Sequence, residues 1–254
     1  MAVRIDLSGK AALVTGGSRG LGAEMSRQLA AAGAAVAVHY GAARNKAEKV
    51  AQEIRGAGGS AVIVGGDFHK TEEVERAAAE ALAQLGEIAI LVNNVGREEA
   101  LGPALELGWD AFQASWELNV RAAYVLTRAL VPGMRRVKYG RVVNVLSMAA
   151  HAYPKNMAAY STAKTAFAGF TRALAVELGP EGITVNSVSP GWIPVERHGP
   201  ATLPGRMATA ARTPLGHLGT PQDVAGAVLY LASPLAGFVT GVEIPVCGGS
   251  QLIG

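Results

Sequence analysis

Short, almost wholly apolar runs alternate along the chain with longer alanine-rich segments, and this alternation constrains the fold more than any other feature. The runs are four to six residues long, which is typical of parallel strands that are covered on both faces. We predict strands at 11–15, 35–40, 61–65, 89–92, 141–146, 184–188 and 242–246, and helices at 21–32, 44–57, 71–85, 109–137, 159–178 and 222–232. The alternation therefore predicts an α/β fold, a doubly wound parallel sheet of about seven strands with helices on both faces.

Length and composition fit one domain over 1–254, because half of the 254 residues are hydrophobic and only 17% are charged. The net charge of +3 is spread along the chain, which argues against a nucleic-acid surface. A single cysteine, Cys247, excludes an internal disulfide and fits a reducing compartment. The sequence shows no signal-peptide pattern at its start and no run of about 20 apolar residues, so we expect a cytoplasmic protein without a membrane segment.

The segment 191–219 breaks the alternation, since it contains four prolines and no long periodic pattern. Such a stretch inside a compact domain is usually functional, and this one follows the carboxyl end of a predicted strand. We predict that 191–219 is a substrate lid. A disordered insertion is the alternative.

Glycines cluster directly after the first predicted strand, in Thr15-Gly16-Gly17-Ser18-Arg19-Gly20-Leu21-Gly22. Small residues at this point allow a sharp turn and let a pyrophosphate approach the amino end of the next helix. The alternative is a plain structural turn. The position between a buried strand and a helix favours a dinucleotide site formed by Gly16, Ser18, Arg19, Gly20, Leu21 and Gly22.

The end of the second strand discriminates between NAD and NADP. A carboxylate there would bond the ribose 2′-hydroxyl and repel a 2′-phosphate, but Val38-His39-Tyr40-Gly41-Ala42-Ala43-Arg44 contains none. Arg19 and Arg44 are suited to a 2′-phosphate, although Arg44 is alternatively a solvated helix residue. We predict NADP(H), with Tyr40 among its contacts.

Two further strand ends add cofactor contacts, namely Asp67 and Phe68 after the third strand and Asn94, Val95 and Gly96 after the fourth. Both lie at the sheet edge where a dinucleotide binds. Asp67 is predicted to accept a hydrogen bond from the adenine amino group, or else to cap the helix that begins near Thr71.

Tyr160 and Lys164 are spaced four residues apart in a helical segment, which places them one turn apart on the same face. A free tyrosine has a pKa of about 10, and a neighbouring ammonium lowers that value toward the working range of an acid or base. Ser147 follows the fifth strand and can donate to a substrate oxygen. Asn119 is a polar residue in an apolar helical segment.

These motifs resemble those of the short-chain dehydrogenase/reductase family, and the match runs essentially end to end. The motifs are Thr15-Gly16-x-x-x-Gly20-x-Gly22, Asp67, Asn93-Asn94-x-Gly96, Asn119, Ser147, Tyr160-x-x-x-Lys164 and Pro190-Gly191. The resemblance implies a Rossmann-type fold and hydride transfer between NADP(H) and a carbonyl or secondary alcohol. The 3-oxoacyl-[acyl-carrier-protein] reductase-like branch is the most similar.

The resemblance also implies a role for each residue of a catalytic tetrad. Tyr160 would be the general acid in reduction and the base in oxidation, while Ser147 orients and polarises the substrate. Lys164 would bind the nicotinamide ribose and lower the pKa of Tyr160, and Asn119 would hold a relay water. Pro190, Gly191 and Ile193 would contact the nicotinamide, Ile193 through its backbone.

Three positions depart from the family pattern. Val95 stands where alanine is common, a threonine usual after Pro190-Gly191 is absent, and Cys247 replaces an aspartate near the C-terminus. These changes put a cofactor contact and a subunit-packing role in doubt, and Cys247 is interpreted as a small packed residue. The predicted substrate contacts are Arg97, Met148, His151, Pro154, Trp192 and Val195.

The resemblance favours reduction of a 3-oxoacyl thioester or similar ketone, by a homotetramer or, second, a homodimer. A basic cluster of Arg135, Arg136, Lys138 and Arg141 favours a carrier-bound substrate unless it is a solvated helix end, whereas Glu181 argues against one. A sugar or polyol dehydrogenase and a xenobiotic carbonyl reductase are alternatives. An epimerase, a dehydratase and a non-catalytic dinucleotide-binding protein are more remote, and no metal site is expected.

Overall fold

The computed structural model describes residues 4–96, 100–198 and 204–251. Within these ranges seven parallel strands form one sheet in the order β3-β2-β1-β4-β5-β6-β7. The strands are β1 (Ala11–Val14), β2 (Ala35–Tyr40), β3 (Ser60–Gly65), β4 (Ile88–Asn93), β5 (Gly140–Val145), β6 (Ile183–Pro190) and β7 (Glu243–Val246). Each predicted apolar run therefore contains a strand, and the predicted Rossmann-type, doubly wound sheet is confirmed.

The helices of the described ranges cover both faces of the sheet. They are α1 (Gly20–Ala31), α2 (Arg44–Gly56), α3 (Thr71–Leu85), α4 (Trp109–Trp116), α5 (Ala122–Val137), α6 (Ala149–Ala152), α7 (Ala158–Leu178), α8 (Pro204–Arg212) and α9 (Pro221–Ala232). Buried side chains of α1, α2 and α9 form one apolar core with the sheet, and those of α3, α5 and α7 form a second. Two covered faces explain why β1, β4, β5 and β6 are buried along their whole length.

The strand order reverses at β1, because the chain first moves outward to β2 and β3 and then crosses to β4 on the other side. The loops after β1 and β4 therefore diverge and leave a crevice at the carboxyl edge of the sheet, where open α/β sheets bind ligands. Among the described helices none is both long and apolar enough to cross a bilayer.

The predicted helix at 109–137 is wrong in one respect, since it is interrupted by a π-helical turn at Glu117–Arg121 between α4 and α5. Asn119 lies in this turn and donates from Nδ2 to the Ser115 carbonyl at 2.8 Å. The Asn119 side chain thus bonds to a backbone carbonyl of the helix at the point where the π-turn accommodates an extra residue. Such π-turns are frequent at functional sites.

The described part of the segment 191–219 contains regular structure although the sequence shows no long periodic pattern there. A 3₁₀ turn spans Glu196–His198, and the helix α8 follows at Pro204–Arg212. The helix begins at Pro204, and a proline costs no backbone hydrogen bond in the first helical turn. Residues 199–203 lie outside the described ranges.

Candidate active site

A cleft of about 1330 Å³ follows the carboxyl ends of the strands. One part, here the glycine half, is formed by loop residues within 16–22, 39–43, 65–69 and 94–96. The other, the lid half, is formed by residues within 147–157 and 191–198. The predicted site residues that line the cleft are Gly16, Ser18, Arg19, Gly20, Leu21, Gly22, Tyr40, Asp67, Phe68, Asn94, Val95, Gly96, Ser147, Met148, Pro154, Tyr160, Lys164, Pro190, Gly191, Trp192, Ile193 and Val195.

Three predicted site residues in the described ranges do not line it. Asn119 is buried behind the cleft wall, and Arg44 reaches the cleft only through the Tyr40 hydroxyl, 3.3 Å from Nη1. His151, predicted as a substrate contact, is instead held by Glu243, with 2.6 Å between Nε2 and Oε1. Arg97 lies outside the described residues.

The glycine loop has no room for side chains at its tightest point. A Cβ on Gly22 would lie 2.2 Å from the Gly16 carbonyl oxygen and 2.7 Å from Asn94 Nδ2. Helix α1 begins at Gly20 with no side-chain cap, and Gly20, Leu21 and Gly22 line the cleft. The first amides of a helix have no partner within the helix, and phosphate oxygens accept hydrogen bonds from them. A loop without side chains lets a pyrophosphate approach these amides.

Thr15 joins the loops that follow β1 and β4. Its hydroxyl oxygen accepts from the Asn94 amide at 2.8 Å and from the Val95 amide at 2.9 Å. Asn94 Nδ2 in turn donates to the Thr15 carbonyl at 2.9 Å. The two sides of the crevice are thus fixed to each other at its base.

Asp67 is not the cap of α3, because that helix is preceded by Lys70 and has no side-chain cap. Its Oδ1 accepts from the His69 amide at 3.1 Å, and its own amide donates to Glu73 Oε2 at 2.7 Å. The latter bond, with help from Lys70, lowers the pKa of Glu73 below its ordinary value. Asp67 lines the cleft, so its predicted hydrogen bond with the adenine amino group stays a prediction.

Tyr160 and Lys164 lie on α7 as their spacing predicts, and both are buried. The Lys164 Nζ lies 5.6 Å from the Tyr160 ring centroid and donates to the Val145 carbonyl at 2.7 Å. Val145 is the last residue of β5, so the lysine is anchored to the strand end that precedes Ser147. An ammonium, a phenol and a hydroxyl therefore border the same part of the cleft.

Gly96 brings Asn119 and Lys164 into one neighbourhood. A Cβ on Gly96 would lie 2.3 Å from Asn119 Oδ1 and 3.0 Å from Lys164 Nζ. Within the described chain, Asn119 Oδ1 is a buried acceptor with no hydrogen-bond donor. An internal acceptor of this kind is suited to a bound water, and the relay role of Asn119 stays a prediction.

The lid half is mostly apolar. Its walls include Met148, Pro154, Met157 and Trp192, of which Met157 escaped the sequence analysis. Trp192 stacks on His198 with 5.6 Å between ring centroids, and the buried Arg206 places its guanidinium carbon 5.1 Å from the Trp192 ring. These contacts of Trp192 with His198 and Arg206 do not repeat at a regular spacing, so the sequence gives no periodic pattern that predicts them.

His39 is a second residue that the sequence analysis missed as a functional candidate. It is buried near the end of β2, borders the cleft and stacks on Phe68 at 3.8 Å. Burial lowers its pKa to about 4. The available signal was a histidine within an otherwise apolar strand.

Two arginines of the basic cluster at the end of α5 are paired with carboxylates, and a third is buried. Arg135 is paired with Glu181, Arg136 with Glu87 at 2.7 Å, and Arg141 is buried with its guanidinium carbon 4.1 Å from the Tyr139 ring centroid. The cluster lies where β5 begins, at the sheet edge opposite the cleft. It therefore gives no support to docking of a carrier beside the cleft.

Cys247 contacts the cleft wall from behind. A Cβ on Gly191 would lie 2.9 Å from the Cys247 Cβ, and the thiol lies 3.3 Å from the Gln251 carbonyl. The close approach is that of a packing residue. In the described ranges no three His, Cys, Asp or Glu side chains converge as a metal site would require.

Comparison with known sequences places most of the chain in one group. Residues 16–251 match the family model described as Enoyl-(Acyl carrier protein) reductase. The hydroxynaphthalene reductase-like protein Arp2 of Metarhizium robertsii is 36% identical over 258 residues, covering 96% of each chain. The 3-oxoacyl-[acyl-carrier-protein] reductase of a Synechocystis strain is 35% identical over 246 residues, covering 96% of this chain and 97% of that one.

Solved structures agree over nearly the whole chain. A blue fluorescent protein from a metagenomic library, in complex with NADPH, is 38% identical with a TM-score of 0.90 and covers 97% of this chain and 100% of its own. A short-chain dehydrogenase/reductase from Serratia marcescens is 35% identical with a TM-score of 0.90, covering 97% and 99%. Fold, motifs and relatives agree, and the chain belongs to the short-chain dehydrogenase/reductase family of oxidoreductases.

Proposed function

We propose that the protein is an NADP(H)-dependent reductase that interconverts an apolar ketone and its secondary alcohol, with a 3-oxoacyl thioester as the first candidate substrate. One observation carries the proposal. Tyr160, Lys164 and Ser147 border a single cleft, between a glycine half suited to a dinucleotide and an apolar lid half.

The glycine half favours NADP(H) over NAD(H). At the end of β2 the cleft is lined by Tyr40, Gly41, Ala42 and Ala43, which carry no carboxylate to repel a 2′-phosphate. Arg19 lines the cleft, and the hydrogen bond of Arg44 to the Tyr40 hydroxyl holds a second guanidinium nearby. Guanidinium groups bind phosphate well because their donors match its oxygens. A structural relative with bound NADPH supports this choice.

Bound NADPH would supply the hydride to the carbonyl carbon. The Ser147 hydroxyl would donate to the carbonyl oxygen and stabilise the negative charge that develops there. Tyr160 would transfer its phenolic proton to the same oxygen, so that the ketone becomes an alcohol and the phenol a phenolate. In oxidation the phenolate would take the hydroxyl proton back.

Lys164 and Asn119 would take part in proton transfer to Tyr160 and would not contact the substrate carbonyl. The Lys164 ammonium, held by the Val145 carbonyl, favours the phenolate form of Tyr160 by its charge. Asn119 Oδ1 faces the space between Gly96 and Lys164 and would hold a water there. A proton from solvent would return to Tyr160 through this water and Lys164.

The lid half favours an apolar substrate over a sugar. Met148, Pro154, Met157 and Trp192 offer surface to an acyl chain but no set of donors for several hydroxyl groups. A fused aromatic ketone is the second candidate. Trp192 offers a ring face for such a ketone, and the matched Metarhizium relative is named a hydroxynaphthalene reductase-like protein.

The segment 191–219 would act as the lid predicted above. Val195 already contacts the glycine loop, since a Cβ on Gly20 would lie 3.2 Å from Val195 Cγ1. A lid that contacts both halves would exclude water from the reacting atoms.

The test is a substrate panel followed by NADPH absorbance. The wild-type protein is mixed with NADPH and, separately, with 3-oxoacyl thioesters, bicyclic hydroxyaromatic ketones, quinones and aliphatic ketones, and with NADP⁺ and polyols for oxidation. We expect the fastest NADPH oxidation with the thioesters. Ser147→Ala is the matched control, because it should bind NADPH and lose turnover. Activity on polyols alone, or no turnover with any compound, would contradict the proposal.

A further inference from the structure

We propose that His39 is a positioning residue that fixes the two loops of the glycine half at the spacing a dinucleotide needs, and so determines cofactor affinity. The inference rests on the proposed function only in requiring that the cleft bind NADP(H). It assigns His39 no part in the chemistry. The assignment follows from three contacts of one buried ring.

The first contact joins His39 to the glycine loop. The Gly16 amide donates to His39 Nδ1 at 3.0 Å, and the Gly17 amide donates to the His39 backbone carbonyl at 2.8 Å. Two successive amides are thereby directed toward β2. The first residues of α1, Gly20, Leu21 and Gly22, line the cleft and have no side-chain cap.

The second contact joins the same ring to the loop after β3. His39 Nε2 lies 3.0 Å from the Gly66 carbonyl oxygen. Because Nδ1 accepts a hydrogen bond from the Gly16 amide, the ring proton resides on Nε2, which therefore donates to the Gly66 carbonyl. Gly66 immediately precedes Asp67 and Phe68, both of which line the cleft.

The third contact keeps the ring neutral and in place. Phe68 stacks on it with centroids 3.8 Å apart at an interplanar angle of 21°, and His39 is 2% exposed. Burial holds its pKa at about 4, so near neutral pH the ring has one donor and one acceptor. A charged ring would have two donors and would lose the Gly16 bond.

A neutral imidazole with this tautomer thus links the phosphate loop to the opposite wall of the cleft. In the described chain, no other side chain is hydrogen-bonded to both Gly16 and Gly66. Loss of the link would leave each loop free to shift against the other. The ordering of both loops would then have to accompany cofactor binding and would reduce affinity.

The experiment compares wild type with His39→Phe and His39→Asn. Phenylalanine keeps the ring and the Phe68 stack but forms neither hydrogen bond, whereas asparagine places an acceptor near Nδ1 and keeps only the Gly16 bond. NADPH dissociation constants are measured by fluorescence titration, with circular dichroism as a check of folding. Thr127→Val is the control, since Thr127 is also buried and hydrogen-bonded but does not line the cleft.

We expect His39→Phe to raise the NADPH dissociation constant about tenfold, the typical cost of unpaired buried partners, and His39→Asn to raise it less. At saturating cofactor, kcat should stay within about twofold of wild type. If His39→Phe does not fold, the increase with His39→Asn decides. If the folded His39 variants bound NADPH with the wild-type dissociation constant, the assignment of His39 would be overturned and the proposed function would stand. Failure of the wild type to bind NADPH or NADH would overturn the proposed function and this inference together.

Discussion

The two halves of the cleft are built in different ways. In the glycine half the backbone itself meets the ligand, and neighbouring atoms stand 2.2 Å from a Cβ at Gly22 and 2.3 Å from one at Gly96. In the lid half the surface is formed mainly by side chains, such as those of Met148, Met157 and Trp192. The glycine half therefore leaves little room for substitution, whereas a change in a partly exposed lid side chain such as Trp192 need not disturb the sheet.

This contrast separates what is general in the molecule from what is specific. A loop that tolerates no side chain can be read from its glycines and predicts a class of ligand. A wall of Met148, Met157 and Trp192 predicts only apolarity, because many ketones satisfy it. Tyr160 and Lys164 line the cleft as well, and the proposed chemistry needs a ligand in each half.

The largest expected effect on activity comes from Tyr160, which lines the cleft. Tyr160→Phe removes the proton donor and keeps the ring, so kcat/KM should fall roughly 10²–10⁴-fold, the usual contribution of a general acid. The NADPH dissociation constant should change little. Tyr124→Phe, at an exposed site on α5, is the control and should behave as wild type. A Tyr160→Phe variant with normal turnover would show that the role of Tyr160 is misassigned.

The second prediction concerns pH and the glycine half. The pKa of His39 is lowered from 6.5 to about 4 in the folded protein, so between these values the unfolded chain binds a proton that the folded protein does not. The free energy of unfolding should therefore decrease as pH falls from about 6.5 to about 4, by about 3 kcal/mol in total. Above pH 6.5 this contribution is fully present.

Urea unfolding across this pH range measures the effect. His39→Asn should flatten the pH dependence in this window, because asparagine does not titrate. Glu73 and Asp223 also have lowered pKa values, but their protonation lies at and below their ordinary values of 4.5 and 3.8. A wild-type curve that is flat from pH 6.5 to 4 would show that the imidazole is not held neutral.

The third prediction concerns selectivity within the glycine half. Arg19→Ala combined with Arg44→Ala should weaken NADPH binding roughly ten- to a hundredfold, since charge-assisted bonds to the 2′-phosphate are lost. NADH affinity should change much less. The control is Arg27→Ala, because Arg27 of α1 is paired with Glu53 at 2.6 Å and does not line the cleft. Equal losses for both dinucleotides would place the 2′-phosphate elsewhere.

Local patterns in the sequence predicted much of the fold and the site, whereas contacts between distant segments were not predicted. All seven strands followed from apolar runs, and the glycine loop and the Tyr160–Lys164 pair followed from local spacing. The π-turn at Glu117–Arg121 did not, because one extra residue in a helix leaves the apolar pattern nearly unchanged. His151 was misplaced because its partner Glu243 lies 92 residues away along the chain. His39 was missed for the same reason, since its partners come from two distant loops.

The smallest effect is expected in the lid half, where one change should alter substrate recognition alone. Trp192→Ala removes the ring that stacks on His198 and faces Arg206, and it takes apolar surface from the cleft. The KM for the preferred ketone should rise several-fold to about tenfold, because loss of one aromatic contact costs on the order of 1 kcal/mol. The NADPH dissociation constant should change much less, since Trp192 belongs to the lid half of the cleft and not to the glycine half. Steady-state kinetics at saturating NADPH measures the first quantity and fluorescence titration the second, with Trp109→Ala on the exposed start of α4 as control. If Trp192→Ala weakened NADPH as much as the ketone, the two halves would not be separable, and the lid segment would belong to the cofactor site.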